Sequence, residues 1–221
     1  MSNTIEFEVQ GRRALFTDLM SKLSGEKCSY PVPTVEAMKG ITRDIYWKPS
    51  IIWIIDRIRV MNRIRQVSEG TLVPDFHNMS KGDRYYYTYL TDVKYQVQAH
   101  FEFNKYRTRY FDDHDYGKHI NMAERSLQRG GRLPVRLGTT ECDGRIEPCS
   151  FGTGIGYYDD KEEMPLGYMF HSYQYPNETG KSGKYARFWS AKMVDGILDF
   201  TDPNLVLKSR FVCDMPYRAD E

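Results

Sequence analysis

Cysteine is scarce and unclustered. Cys28, Cys142, Cys149 and Cys213 stand far apart, with no CxxC pair and no grouped histidines, so neither a zinc site nor a disulfide framework is expected. Long apolar runs are also missing. The longest, Ile51 to Ile55, is far too short to span a bilayer, and the opening MSNTIEFEVQ has no charged segment followed by an apolar one, which points to a cytoplasmic protein. An excess of either sign of charge is missing, since 31 basic side chains meet 30 acidic ones for a net charge of +1, and this argues against indiscriminate nucleic-acid binding. A dinucleotide fingerprint is lacking too. Gly152-Thr153-Gly154-Ile155-Gly156 reads GxGxG, with the third glycine a residue early and no helix apparent behind it, so a tight turn is expected there. No metal and no cofactor are expected, and Asp112, Asp113 and Asp115 read as helix caps rather than metal ligands.

What is present is tyrosine and segregated charge. The 221 residues are 14% aromatic, with 17 tyrosines, a composition that suits strands or stacking surfaces in a chain long enough to bury a core. Residues 41–65 carry Arg43, Lys48, Arg57, Arg59, Arg63 and Arg65 against Asp44 and Asp56, and residues 105–136 are equally basic. Residues 141–163 are strongly acidic, with only Arg145 and Lys161 opposing their carboxylates. The two kinds of segment are expected to face different partners.

Apolar and polar residues alternate in IEFEVQ, which predicts a first strand. Thr34 then opens a helix with Val35, Met38, Ile41 and Ile45 at helical spacing, closed before Pro49. SIIWIIDRIRVM (residues 50–61) favours a strand that would place Arg57, Arg59, Arg63 and Arg65 on one face. Residues 66–83 read as an exposed loop through Gly70, Pro74, Asn78 and Gly82. Period-two alternation from Tyr85 to Phe103 predicts a long strand with His100 on its solvated side. A helix over about 117–129 ends at Gly130-Gly131, and short strands are expected at Pro134 to Leu137 and Gly144 to Phe151. The order β-α-β-β-α-β predicts an α+β, ferredoxin-like domain over residues 1–150, of the plan used by RNA-recognition modules. Residues 151–221 read as a small antiparallel β domain.

On a helical wheel Lys118, Arg125 and Arg129 share one face, opposite Ile120, Ala123 and Leu127, with His119 and Ser126 on the flank. The basic ridge continues through Gly130 and Gly131 into Arg132, a surface suited to tracking phosphates. Lys118 and His119 also lie in the first turn, where free amides favour an anion. Cutting RNA without a metal needs a base for the 2′-hydroxyl, an acid for the leaving oxygen and a cation for the phosphorane, and histidine, tyrosine and lysine can supply these.

Several strings in the same order make a more specific signal: GEKCSYPVPT from Gly25, IYWKPSIIWIIDRIRVMNRIR from Ile45, YYTYLTDVKYQVQAHFEFN from Tyr86, ERSLQRGGR from Glu124, LGTTEC from Leu137 and FGTGIGYYDD from Phe151. Together they resemble the CRISPR-associated Cas-five family, subtype d (Dvulg), of type I-C systems. The resemblance implies a metal-independent endoribonuclease that processes pre-crRNA in its repeat. Such an enzyme then stays on the crRNA 5′ handle beside the backbone and large subunits of the type I-C Cascade. It also implies a catalytic set of Tyr46, Lys118 and His119. His119 would be general acid or base, Lys118 the transition-state cation, and Tyr46 a proton-transfer or 2′-hydroxyl-orienting group. Arg57, Arg59, Arg125, Arg129, Gly130, Gly131 and Arg132 are the expected RNA contacts. The competing reading is a non-catalytic subunit that only holds the crRNA 5′ handle.

Overall fold

A computed structural model describes residues 3–21, 26–74, 82–202, 205 and 207–217. In chain order the elements are β1 (Thr4–Ala14), β2 (Lys27–Cys28), α1 (Val35–Ile45), β3 (Ile51–Val60), β4 (Gln66–Pro74), β5 (Gly82–Phe103), α2 (Tyr116–Leu127), β6 (Arg145–Pro148), β7 (Met164–Gln174), α3 (Pro176–Thr179), β8 (Lys184–Met193), β9 (Ile197–Asp199) and β10 (Lys208–Cys213). A 3₁₀ turn over Thr108–Asp113 leads into α2.

The period-two segment forms the central strand. Val93, Tyr95, Val97, Ala99 and Phe101 of β5 all point into the core, where they meet Phe7 and Val9 of β1 and Trp53 and Ile55 of β3. Trp53 and Phe101 pack edge to face with ring centroids 5.4 Å apart. Both β1 and β3 pair antiparallel with β5, and the sheet order β6-β1-β5-β3 is that of a ferredoxin-like domain, as expected. Met38, Ile41 and Ile45 of α1 and Ala123 and Leu127 of α2 join the same core, so both helices cover one face of the sheet. Thr34 caps α1 by accepting the Ala37 amide at 3.2 Å. Gly138, in LGTTEC, has φ +100, and a Cβ there would collide with the Leu15 backbone.

Some local expectations fail. Residues 66–83 are not simply a loop, because β4 pairs with the first half of β5 in a hairpin. Its mostly exposed residues show no apolar alternation, so the periodicity signal was absent. Pro134 to Leu137 makes only an isolated bridge, Arg136 to Asp143. Because β3 ends at Val60, Arg63 and Arg65 lie beyond the strand and do not share its face with Arg57 and Arg59. His100 is not a solvated histidine, since its Nδ1 lies 2.8 and 2.9 Å from the two Asp56 carboxylate oxygens.

After residue 150 the chain builds a second, three-stranded sheet in the order β10-β8-β7, while β9 returns to pair with β3 at the edge of the large sheet. The α3 turn is tied to α1 by Glu178, which takes Lys39 and Arg43 at 2.6 Å each. Among the described residues no helix is long and apolar enough to cross a membrane.

Candidate active site

Tyr46 is the first residue past α1. Its amide still bonds to the Thr42 carbonyl at 3.1 Å, but its backbone is extended (φ −154°, ψ 132°), and the Trp53 indole N–H donates to its carbonyl at 2.7 Å. The buried ring therefore approaches α2, where the Tyr46 hydroxyl lies 2.8 Å from His119 Nδ1. His119 Nε2 is 2.7 Å from the Asp113 carbonyl, which can only accept. Nε2 therefore carries a proton, and in the neutral ring Nδ1 accepts from the Tyr46 hydroxyl.

Asp113 organises the start of α2. One carboxylate oxygen accepts from Lys118 Nζ, and the other accepts from the Ser50 hydroxyl at 2.6 Å and lies 3.5 Å from His119 Nε2. Burial opposes ionisation of this carboxyl, but the hydrogen bonds from Lys118 and Ser50 and the nearby positive charge outweigh it, and its pKa falls below the ordinary carboxylate value. The N-cap is Asp115, whose side chain accepts the Lys118 amide at 3.0 Å. Burial, reinforced by the Asp113 charge, pushes the Tyr46 pKa up to about 12. The phenol is thus protonated at neutral pH.

His119 is 0% exposed, which corrects its expected place on the flank of the basic ridge. It turns inward because the rings of Phe101 and Phe103 pack edge-on against it, each with centroids 5.9 Å away. Tyr46, which is 5% exposed, instead lines a cavity of about 490 Å³ with Arg125, Arg129, Gly131 and Arg132. The ends of the two helices are stitched together around this cavity. Ser126 donates its hydroxyl to the Ile45 carbonyl, and the Arg132 and Leu133 amides both donate to the Asp44 carbonyl, at 2.8 and 3.1 Å. Gly131 makes this approach possible with φ +97 and the Asp44 carbonyl 3.4 Å from where a Cβ would sit. Gly130 also has positive φ, but a Cβ there would meet nothing within 4 Å.

Arg57 and Arg59 are not part of this constellation. Both sit on the other face of the sheet, where they hold the glycine-rich segment down as a strap. Arg59 is 5% exposed and its guanidinium is occupied by Asp159, Gln96 and the carbonyls of Thr153 and Gly154. Arg57 donates twice to Gln98 and lies over the Phe151 ring at 5.0 Å. For Arg59 the reading as an RNA contact is corrected, because folding has already occupied its guanidinium; Arg57, partly exposed, keeps donors beyond those given to Gln98. Residues 151–159 also cover the sheet surface on which RNA-recognition modules stack bases. Sequence reasoning missed Asp113, Ser50, Ser126 and Trp53 as organisers of the site. Only the position of Asp113 just before α2 gave a hint, and it was absorbed by the capping explanation.

The family model for Cas5d, described as CRISPR-associated protein (Cas5), matches residues 4–201. The chain belongs to the Cas5d family. A relative from Mannheimia succiniciproducens, named CRISPR pre-crRNA endoribonuclease Cas5d, is 28% identical over 90% of this chain and 95% of its own length. Among solved structures, a CRISPR-associated protein superposes with a TM-score of 0.73 at 32% identity, covering 94% of this Cas5d chain and 97% of the other. A functionally uncharacterized protein from Streptococcus mutans gives 0.74 at 31% identity with the same coverage. Both share the ferredoxin-like architecture described above.

Proposed function

We propose that this Cas5d chain is an endoribonuclease that cuts CRISPR repeat RNA by attack of the 2′-hydroxyl on the adjacent phosphate, without a metal ion. The observation that carries the reading is the Tyr46 to His119 hydrogen bond at the wall of an arginine-lined cavity. The 2′-hydroxyl proton passes to the Tyr46 oxygen while the Tyr46 proton passes to His119 Nδ1, leaving an imidazolium beside anionic Asp113. The 2′-oxygen bonds to phosphorus, the bond to the 5′-oxygen breaks, and that oxygen takes a proton from solvent. The products are a 2′,3′-cyclic phosphate and a 5′-hydroxyl. Arg125, Arg129 and Arg132 stabilise the phosphorane charge. Lys118, held on Asp113, acts through that carboxylate rather than on the phosphate. The name carried by the Mannheimia relative supports the activity and the substrate. The product then stays bound by its 5′ handle as this chain joins the other type I-C Cascade subunits.

Complete burial of His119 favours a second reading, in which the Tyr46 to His119 contact is structural and the chain only holds the crRNA handle. Repeat RNA incubated with chelator decides between them. Cleavage with cyclic-phosphate ends is expected, and a substrate with one 2′-deoxy nucleotide just 5′ of the cut should bind and stay intact. Cutting of that substrate would overturn the mechanism, and no cutting of the all-ribose RNA would leave the handle-binding reading.

A further inference from the structure

We propose that a second cavity, across Trp47 from Tyr46, receives a nucleobase flanking the scissile phosphate and selects guanine through Asp44. The proposal rests on the reading of the Tyr46 cavity as the cleavage site. Because the chain is extended at Tyr46, successive side chains diverge, with Tyr46 turned into the core and Trp47 37% exposed. Trp47 and Arg132 line both cavities, so a strand whose phosphate lies at Tyr46 passes its neighbouring base over the indole. The second cavity measures about 440 Å³, inside the range of roughly 300–1,000 Å³ that small-ligand pockets occupy.

Its polar groups are specific in kind. The Asp44 carboxylate accepts no hydrogen bond from the described residues, although it is partly buried and its pKa is raised by that burial, opposed by the Arg132 charge. The other carboxylate in the wall, Glu178, is already occupied by Lys39 and Arg43. Arg107, half-buried in the same wall, has no carboxylate partner among the described residues. Guanine alone among the four bases presents two adjacent N–H donors, at N1 and N2, with an acceptor, O6, beside them. The donors match Asp44 and the acceptor matches Arg107. Every other base would leave the carboxylate facing an acceptor or short of one donor, and a buried polar group left unpaired is how such sites reject. Trp47 supplies the stacking surface, which is tolerant of sequence.

The test uses repeat RNAs in which each nucleotide flanking the mapped cut is replaced in turn by the other bases and by inosine, which lacks the N2 amine. In the wild type one position should favour guanine over adenine and inosine by about tenfold or more in kcat/KM, the size expected of a bidentate base contact. Asp44→Asn keeps the shape but removes one acceptor, and it should bring that ratio to within about twofold. Trp47→Ala should weaken all bases at that position by about tenfold, with Trp47→Phe restoring most of it. Binding measured with the non-cleavable 2′-deoxy RNA provides the second arm. There the guanine preference should appear as a Kd ratio and survive Tyr46→Phe, so a failure of the cleavage reading is seen separately from a failure of this one. A guanine preference unchanged in Asp44→Asn, or no base preference in either arm, would overturn the proposal.

Discussion

Tyr46 and His119 divide labour by exposure. Tyr46 lines the cavity, whereas the imidazole is fully buried and, on the proposed mechanism, acts only through the tyrosine hydroxyl. Tyr46→Phe keeps the ring and removes the proton path, so the single-turnover cleavage rate should fall by about 10²–10⁴, the usual contribution of general acid–base catalysis, with repeat-RNA affinity within a few-fold. His119→Asn and His119→Ala should lose a similar factor. Circular dichroism melts must accompany them, because the ring also fills space against Phe101 and Phe103. Near wild-type cutting by folded Tyr46→Phe would leave the hydroxyl without a role. The resemblance named both residues with these roles, and the local pattern put Lys118 and His119 at a helix start. The burial of His119 was not legible. The helical wheel gave His119 a flank position, but it could not register that Phe101 and Phe103, distant in sequence, draw the ring inward.

At the scale of elements, α2 presents Arg125 to the cavity, and the turn that follows it carries Arg129 and, through the double glycine, Arg132 to the same rim. Their replacement, singly or together, should flatten the dependence of log affinity on log salt by about 0.7–0.9 per lost phosphate contact. The Arg59 strap gives the contrast. Arg59→Met breaks a partly buried ion pair with Asp159 and leaves the Thr153 and Gly154 carbonyls without its donors, and should destabilise the fold by about 1–3 kcal/mol in urea melts. Its salt slope should stay that of the wild type. An altered slope in Arg59→Met, or none in the ridge variants, would reverse these assignments. The periodicity of α2 displayed the ridge in the sequence because an exposed helix face follows from 3.6-residue spacing alone. On β3 the same kind of argument failed for Arg59. A strand face is only half of an interface, and what lies over it is set by residues about a hundred positions away.

Over the whole molecule the ferredoxin-like sheet brings β3, β5 and both helices into one core, and its central pairing carries a titrating contact. The hydrogen bond with Asp56 raises the His100 pKa, against an opposing effect of burial and helped by the Asp56 and Glu102 charges. A folded-state pKa above the unfolded value means that this stabilisation is complete below about pH 6.5 and is lost as pH rises through the folded value. Denaturation of the wild type should therefore show a stability loss above that pH that is smaller in His100→Gln. Parallel pH profiles for the two proteins would remove the contact from the account.

Local chemistry determined much of this protein by itself. Alternation set the buried face of β5, helical spacing and Thr34 set α1, and the aspartates and glycines set the limits of α2, because each depends on neighbours within a few residues. The ferredoxin-like order follows from that series of elements together with the usual connection rules. The tertiary structure alone decided which polar groups meet. It placed Asp113 between Lys118, Ser50 and His119, took Arg59 away from solvent, converted an exposed stretch into the β4–β5 hairpin, and left the Asp44 carboxylate beside Trp47 without a hydrogen-bond donor among the described residues. The physical reason is that a side chain's hydrogen-bonding capacity is fixed by its type, but its partners are fixed by chain segments brought together only when the core closes.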